Sequence, residues 1–335
     1  MSGRLAAALL AATLVVAIGC GEKQERAQGD SERLTLALDF YVNPDHAGIY
    51  TALDRGLFEE AGLEVEPQVP ADPSAPIRQV AAGRADLAIS YEPEVLLAQD
   101  EGLPVIAVAA LVSQPLTSLI SLPEAGIEDA ADLEGKTIAT AGIPYQADYL
   151  DAILDREGLS LDDVEQKDVG LNLLPAVLSG SADAMLGGFL NIEGVDLAER
   201  GLDPRVVPVD ELGIPTYDEL VLVANTDRVA DDPEAIRLFI AALERGTRAA
   251  ADDPAAATEA VLAAADGLEP KLTRAEIDAT LPLLLPDQGP KPFGYMDARE
   301  WVEFGGFFAD RGLISSRPQA SDMFTDELLP GRIPQ

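Results

Sequence analysis

A block of sequence that occurs twice constrains the fold of this chain more than any other feature. Val80-Ala-Ala-Gly83-Arg-Ala-Asp86-Leu-Ala-Ile-Ser90-Tyr91 and Val177-Leu-Ser-Gly180-Ser-Ala-Asp183-Ala-Met-Leu-Gly187 keep one order of features: a helix end, a glycine suited to a helix C-cap, an Ala-Asp pair and an apolar strand. A solenoid would repeat its unit more often. Two copies therefore predict two similar α/β lobes, each built on a helix–glycine–strand unit. Both strands end where ligands bind in open α/β sheets, at Tyr91 in the first lobe and at Gly188, Phe189, Asn191 and Glu193 in the second.

The surrounding periodicity fits that plan. Residues 34–38 read as a first strand, and 47–61 as a helix with Ile49, Leu53, Leu57 and Phe58 on one face. Residues 63–69 alternate as a half-exposed strand does, and the prolines of 70–76 open a helix over 77–82. Apolar strands are expected at 105–112 and 117–122, a turn into the second lobe's first strand at 132–138, and a helix at 148–157. A strand at 220–224 could cross back to the first lobe, and helices follow at 236–251, 254–265, 274–284 and 297–311. The expected division is lobe one from 34–118 and 221–335, and lobe two from 119–220.

The chain has 335 residues, 47% of them apolar, enough for two packed lobes. Its 23 Lys and Arg stand against 59 Asp and Glu, a formal charge of −36 that opposes a nucleic-acid or anionic-membrane partner. At the N-terminus, Arg4 precedes an apolar run over 5–18 with the proportions of a signal peptide, too short to span a bilayer comfortably. The run ends Ala17-Ile18-Gly19-Cys20, which resembles a bacterial lipoprotein processing box with Ala17 where leucine is usual. Residues 1–20 are thus expected to be a lipoprotein signal peptide, Cys20 the lipidated residue and 21–33 a flexible tether. No later segment reads as transmembrane. Cys20 is the only cysteine and His46 the only histidine, so a disulfide framework, a thiolate zinc site, a catalytic cysteine in the folded body and a multi-histidine metal site are all excluded. No metal or cofactor is expected.

The stretch Asp39 to Tyr50, DFYVNPDHAGIY, sits where the first strand hands over to a helix. It gathers two carboxylates, an amide, three aromatic rings and His46, and no Lys or Arg. The other expected strand ends, 71–77, 113–118, 142–149, 187–193 and 214–219, also lack Lys and Arg, which lowers sulfonate, nitrate and phosphate as ligands. The mix suits a neutral or basic, flat, nitrogen-rich molecule.

Four segments carry a more specific resemblance: Leu38-Asp-Phe-Tyr-Val-Asn-Pro-Asp-His-Ala-Gly48, Pro70-Ala-Asp-Pro-Ser-Ala-Pro76, Ile89-Ser-Tyr-Glu-Pro93 and Pro215-Thr-Tyr-Asp-Glu-Leu-Val-Leu-Val-Ala-Asn225. With 52–65 in outline, the chain from Leu34 to about Leu313 resembles the substrate-binding proteins of bacterial ABC importers, in the branch that binds pyrimidine precursors of thiamine. The resemblance implies a two-lobed α/β periplasmic binding protein type II fold, with a hinge and an interlobe ligand cleft. It implies a monomer on the extracytoplasmic face of a bacterial membrane, anchored by lipid at Cys20, that delivers a heteroaromatic ligand to an ABC permease. The same branch includes a eukaryotic enzyme that makes the thiamine pyrimidine by consuming its own histidine, and His46 falls where that histidine would be. That enzyme's cysteine-rich iron motif has no counterpart here. The family usually places Trp at the position of Phe40 and aromatic residues near Leu190 and Ile192, so riboflavin or another heterocycle stays open as the ligand.

The resemblance also orders the candidate contacts. Phe40, Tyr91 and Phe189 could stack on a flat ring, with core packing as the alternative for each. Glu193 could grip an amino group and the adjacent ring nitrogen through parallel hydrogen bonds, or be a solvated helix residue. Asn43 could read a ring nitrogen or formyl group, or be an ordinary turn residue before Pro44. His46 could donate to the ligand or bond a backbone carbonyl, Asp39 could orient His46 or the ligand, and Tyr145 and Tyr217 are hinge-side candidates. The expected function is binding of formylaminopyrimidine or hydroxymethylpyrimidine. The alternatives are a pyrimidine-synthesising enzyme using His46, or a binding protein for riboflavin or a sulfonate.

Overall fold

A computed structural model describes residues 31–286 and 289–331. The expected signal peptide, Cys20 and most of the tether lie outside the described residues. Strands and helices alternate through the first two-thirds of the described chain: β1 Glu32–Ala37, α1 Ala47–Asp54, α2 Leu57–Glu60, β2 Leu63–Gln68, α3 Pro76–Ala81, β3 Leu87–Ser90, α4 Glu92–Asp100, β4 Val105–Val112, β5 Thr117–Ser121, β6 Thr137–Thr140, α5 Pro144–Arg156, β7 Glu165–Asp168, α6 Leu173–Leu178, β8 Ala184–Phe189, α7 Glu193–Glu199, β9 Arg205–Pro208 and β10 Leu220–Asn225. The rest is helical: α8 Thr226–Asp231, α9 Pro233–Asp252, α10 Pro254–Ala264, α11 Pro270–Leu284, α12 Ala298–Asp310 and α13 Ala320–Met323.

The strands form two five-stranded sheets of matching design, ordered β2-β1-β3-β10-β4 and β7-β6-β8-β5-β9. In the first, β1 runs parallel to β2 and β3, while β10 is antiparallel to β3 and β4. In the second, β6 runs parallel to β7 and β8, while β5 is antiparallel to β8 and β9. Each antiparallel strand is the one that has just crossed over from the other sheet. These sheets and their helices are the two lobes of the α/β fold.

The repeated sequence block has one structural job in both lobes. Gly83 and Gly180 end α3 and α6 in the left-handed region, φ 65° and 68°, which a residue with a Cβ adopts only at a cost. Three residues on, Asp86 Oδ2 accepts the Thr35 N–H at 2.8 Å, and Asp183 Oδ2 accepts the Thr137 N–H at 2.8 Å. The same aspartates donate their backbone N–H to Thr35 and Thr137 carbonyls. Each thus fastens the strand that follows it to the first strand of its lobe, which fixes the register that presents β3 and β8 to the cleft.

The helix expected over 47–61 is two helices. Gly56 takes φ 66° between α1 and α2, and the chain turns there so that Leu57 and Phe58 reach the core while Arg55 stays exposed. The apolar 3.6-residue period runs through the break and hides it. α1 packs on α9 at a point of close backbone approach: a Cβ on Gly246 would lie 2.3 Å from the Gly48 carbonyl oxygen, and one on Gly48 would lie 2.2 Å from Thr247 Oγ1. Phe58 stacks on Phe239 at 5.0 Å to close the same interface.

Two segments connect the lobes, 113–116 and 209–219, and one buried carboxylate ties them together. Glu219 Oε2 accepts from the Leu116 and Thr117 N–H groups at 2.8 and 2.7 Å and from the Tyr217 hydroxyl at 2.9 Å, while Oε1 accepts from Thr117 Oγ1 at 2.9 Å. Helix α12 covers this crossing. Trp301 Nε1 donates to Asp218 Oδ2 at 2.6 Å, and Phe304 packs on the Tyr217 ring at 4.9 Å.

Candidate functional site

The C-terminal ends of the parallel strands in both lobes face one cavity. Lobe one contributes Asp39, Phe40, Asn43 and Tyr91, and lobe two contributes Gln146, Tyr145, Phe189 and Glu193 with the apolar Ala141, Ile143, Leu173, Gly187 and Ile192. The cavity has about 420 Å³ of space free of atoms, part of it open to solvent. Ring contacts and a hydrogen bond across the cleft hold the lobes against each other. Tyr91 marks the closure, because its ring meets Tyr145 at 5.9 Å and Phe189 at 6.4 Å from across the cleft.

On lobe one the wall is pre-set by hydrogen bonds. Residues Pro44–His46 form a single 3-10 turn after β1, capped by Asn43 Oδ1, which accepts the Asp45 N–H at 2.8 Å. The Asn43 N–H donates to His46 Nδ1 at 3.2 Å, so Nδ1 is bare and the proton sits on Nε2, which donates to Asp39 Oδ1 at 2.9 Å. Tyr91 donates its hydroxyl to Asp39 Oδ2 at 2.9 Å. Asp39 is thereby held by a histidine on one oxygen and a tyrosine on the other.

On lobe two, Glu193 opens α7, where the helix N-terminus favours an acid. Its Oε2 accepts the Phe189 N–H at 2.8 Å. Burial pushes its carboxyl up to about 7, against the lowering by the backbone N–H groups of Phe189 and Glu193 and with Asp196 adding to the rise. Gln146 occupies the first turn of α5, and its Oε1 accepts the Ala141 N–H at 2.8 Å. The opposite side of its amide faces Gly187, whose φ is 116° and where a Cβ would lie 2.2 Å from Gln146 Nε2.

A second polar contact joins the lobes beside the cavity. Asn191 Nδ2 donates to Asp45 Oδ1 at 2.7 Å and to Thr280 Oγ1 at 2.8 Å, so α11 and the 3-10 turn of lobe one meet the loop before α7. Asp45 Oδ2 and Asn191 Oδ1 are both buried without a hydrogen-bond partner. Burial holds the Asp45 carboxyl well above the usual carboxylate range, with Asp39, Glu193 and Glu219 adding to the rise and the Asn191 bond opposing it. On α11, burial pushes Glu276 up to about 8, with Asp196, Glu193 and Asp45 adding to it.

Of the residues singled out in the sequence, Asp39, Phe40, Asn43, Tyr91, Tyr145, Phe189 and Glu193 share this one cavity. Two do not line it. His46 is fully buried behind Asp39 with both ring nitrogens engaged, and Tyr217 is withdrawn into the hinge, donating to Glu219 and packing against Tyr149 and Phe304. The rings also fail to form a parallel slot: Tyr91 stands at 86° to Phe189 and 64° to Tyr145, and Phe40 packs on Tyr41 instead, at 4.4 Å. Glu193 is buried rather than solvated. The sequence reading does not single out Gln146, although it follows the Gly142-Ile-Pro144 turn at a strand end, from which a side chain in the first turn of the helix reaches back to the Ala141 N–H. Glu219 escaped it as well. Among the described residues no group of His, Cys, Asp and Glu is arranged to hold a metal ion, and no helix is long and apolar enough to cross a membrane.

Known proteins with this pattern give the arrangement a context. A Haemophilus influenzae protein named for thiamine biosynthesis is 37% identical over 84% of this chain and 88% of its own. The formylaminopyrimidine-binding protein of Halalkalibacterium halodurans is 33% identical over 88% of this chain and 90% of its own. A 4-amino-5-hydroxymethyl-2-methylpyrimidine phosphate synthase of Aspergillus parasiticus is 30% identical over 68% of this chain and 70% of its own. Among solved structures, the alkanesulfonate-binding protein SsuA of Xanthomonas axonopodis pv. citri, bound to MOPS, superposes with a TM-score of 0.67 at 17% identity, covering 87% of this chain and 97% of its own, and so shares the periplasmic binding protein fold. The NMT1/THI5-like family matches residues 43–257, and the chain belongs to that family.

Proposed function

We propose that the chain is the extracytoplasmic solute-binding protein of an ABC importer, and that its lobes close on a thiamine-type aminopyrimidine, formylaminopyrimidine or hydroxymethylpyrimidine. The observation that carries this reading is the cavity wall. It brings aromatic rings from both lobes together with the carboxyls of Asp39 and Glu193 and holds no Lys or Arg. A buried carboxyl can take an amino N–H and share a proton with the neighbouring basic ring nitrogen, a two-point contact that neither an aliphatic nor an anionic ligand returns. In the reading, the open form admits the ligand between Phe40 and Tyr91 on one side and Tyr145 and Phe189 on the other, and Glu193 bridges closure by contacting the ligand from lobe two. The Halalkalibacterium relative named for this ligand supports it. Lipid attachment at Cys20 and presentation of the closed form to a permease complete the proposal.

Binding is favoured over synthesis by the state of His46. Its ring is buried outside the cavity and both nitrogens are committed to Asn43 and Asp39, while the folded body carries no cysteine. A sulfonate is disfavoured because two carboxyls and no cation would surround it. Calorimetric titration of the protein with formylaminopyrimidine, hydroxymethylpyrimidine, riboflavin and taurine tests the reading. Tight binding of a pyrimidine is expected, and tight binding of riboflavin or taurine with neither pyrimidine bound would overturn it.

A further inference from the structure

The side chain of Gln146 does two things, and only one of them has a purpose inside the protein. Its Oε1 accepts the Ala141 N–H at 2.8 Å. Because a backbone N–H can only donate, that bond fixes which end of the amide is oxygen. Nε2 must therefore point the other way, along the cavity wall at Gly187, whose missing Cβ leaves the space that the NH2 group occupies. The residue is 1% exposed and lines the cavity.

Most of the rest of the polar wall is spoken for. Tyr91 donates to Asp39, Asn43 Nδ2 donates to the Tyr41 carbonyl at 3.1 Å, and Glu193 accepts from Phe189. Among the described residues, Gln146 Nε2 is a side-chain donor of this wall that makes no hydrogen bond within the protein. The Ala141 contact does not explain the amide, because a glutamate would accept that N–H equally well at the same helical position. In a chain with 59 Asp and Glu, what glutamine adds over glutamate here is the donor.

We propose that Gln146 Nε2 is the donor by which this cavity selects among pyrimidines: it favours a ligand that presents a bare acceptor to lobe two, such as a formyl oxygen or an unprotonated ring nitrogen, and disfavours one that presents an ammonium there. This deepens the pyrimidine reading and rests on it. Asp39 and Glu193 alone would draw a cationic amine into the site, so the amide supplies the opposing preference at its own position. Formylaminopyrimidine and its deformylated aminomethyl counterpart differ in this respect, since the first offers a neutral carbonyl where the second carries an ammonium.

Two substitutions in the full chain separate the roles. Gln146→Glu keeps the acceptor for Ala141 and removes the donor, and Gln146→Met keeps the approximate volume and removes both. Affinities for formylaminopyrimidine and the deformylated amine are measured calorimetrically, with thermal midpoints as the folding control. Both variants should bind the formyl compound about tenfold or more weakly, the equivalent of about 1.4 kcal/mol, and Gln146→Glu should gain affinity for the amine until the preference reverses. If both variants keep the wild-type midpoint and the wild-type preference, Gln146 has no selecting role. If the wild-type protein binds neither compound, the pyrimidine reading fails, and the proposal with it.

Discussion

At the scale of single residues, Glu193 shows how burial turns an ordinary acid into a selective contact. Its place at the start of α7 stabilises the anion, while desolvation pushes the carboxyl up to about 7, so near neutral pH it can share a proton with a basic ring nitrogen. Replacing it by Gln should weaken aminopyrimidine binding by about 1.5–3 kcal/mol if the contact is charge-assisted, read as a change in Kd; unchanged affinity removes the contact. His46 acts differently. It holds Asp39 from behind, so His46→Ala should leave Asp39 with Tyr91 as its one side-chain donor and destabilise the protein by roughly 1–3 kcal/mol, seen in denaturant unfolding, with no covalent change in any added ligand. His46 drew attention in the sequence because it is the only histidine, and rarity says nothing about direction. Gln146 drew none, because a glutamine in a helix's first turn belongs to no hydrophobic period and its function lies in which end of the amide faces the cavity.

At the scale of elements, the contact between α11, the 3-10 turn and the loop before α7 decides how the closed form responds to pH. Asp45 and Asn191 already share one hydrogen bond, and the remaining oxygen of each is an acceptor with no donor. One proton on Asp45 Oδ2 would give the pair a donor where it now has two orphan acceptors. The groups around it, Asp39, Glu193, Glu219 and Glu276, are acids, and none supplies a compensating charge. The closed form therefore holds the higher Asp45 pKa, and the open, hydrated form the lower one. Closure gains stability as pH falls through the raised value and loses it as pH rises. Ligand binding that drives closure should take up protons, measurable by calorimetry in buffers of different ionisation enthalpy. Asp45→Asn, which supplies the donor permanently, should bind at least as tightly and release part of that uptake; an unchanged proton count would remove Asp45 from the process. The repeated glycine-aspartate units that build the two sheets were legible because they recur, whereas this latch joins residues 45, 191 and 280, which no local pattern relates.

At the scale of the molecule, the two sheets are near copies joined at 113–116 and 209–219, and we propose that closure pivots on these segments with Glu219 as their common tie. The return of the strand at 220–224 to lobe one is expected from the sequence, whereas its insertion between β3 and β4, and that of β5 between β8 and β9, becomes visible only through pairing. The break at Gly56 was hidden as well, since an unbroken apolar stripe looks like one helix. The acid inside the molecule also sets its stability. Burial raises Glu94, Glu193, Asp218 and Glu219 to about 7 and Glu276 to about 8. Each contributes stability fully present below the ordinary carboxylate range and lost as pH rises through these raised values, and the net charge of −36 adds repulsion in the same direction. The thermal midpoint should fall by roughly 5–10 °C between about pH 5 and about pH 8; a midpoint that rises over this interval contradicts the assignment of these groups as buried acids.

The crystal structure of the protein with formylaminopyrimidine tests the central claim most directly. The account predicts the pyrimidine ring between the lobes against Tyr91, with its amino group and adjacent ring nitrogen within about 3 Å of the Glu193 carboxyl and Gln146 Nε2 donating to an acceptor of the ligand. A ligand bound elsewhere, or one in the cleft that leaves Glu193 without a hydrogen bond to it, would contradict it.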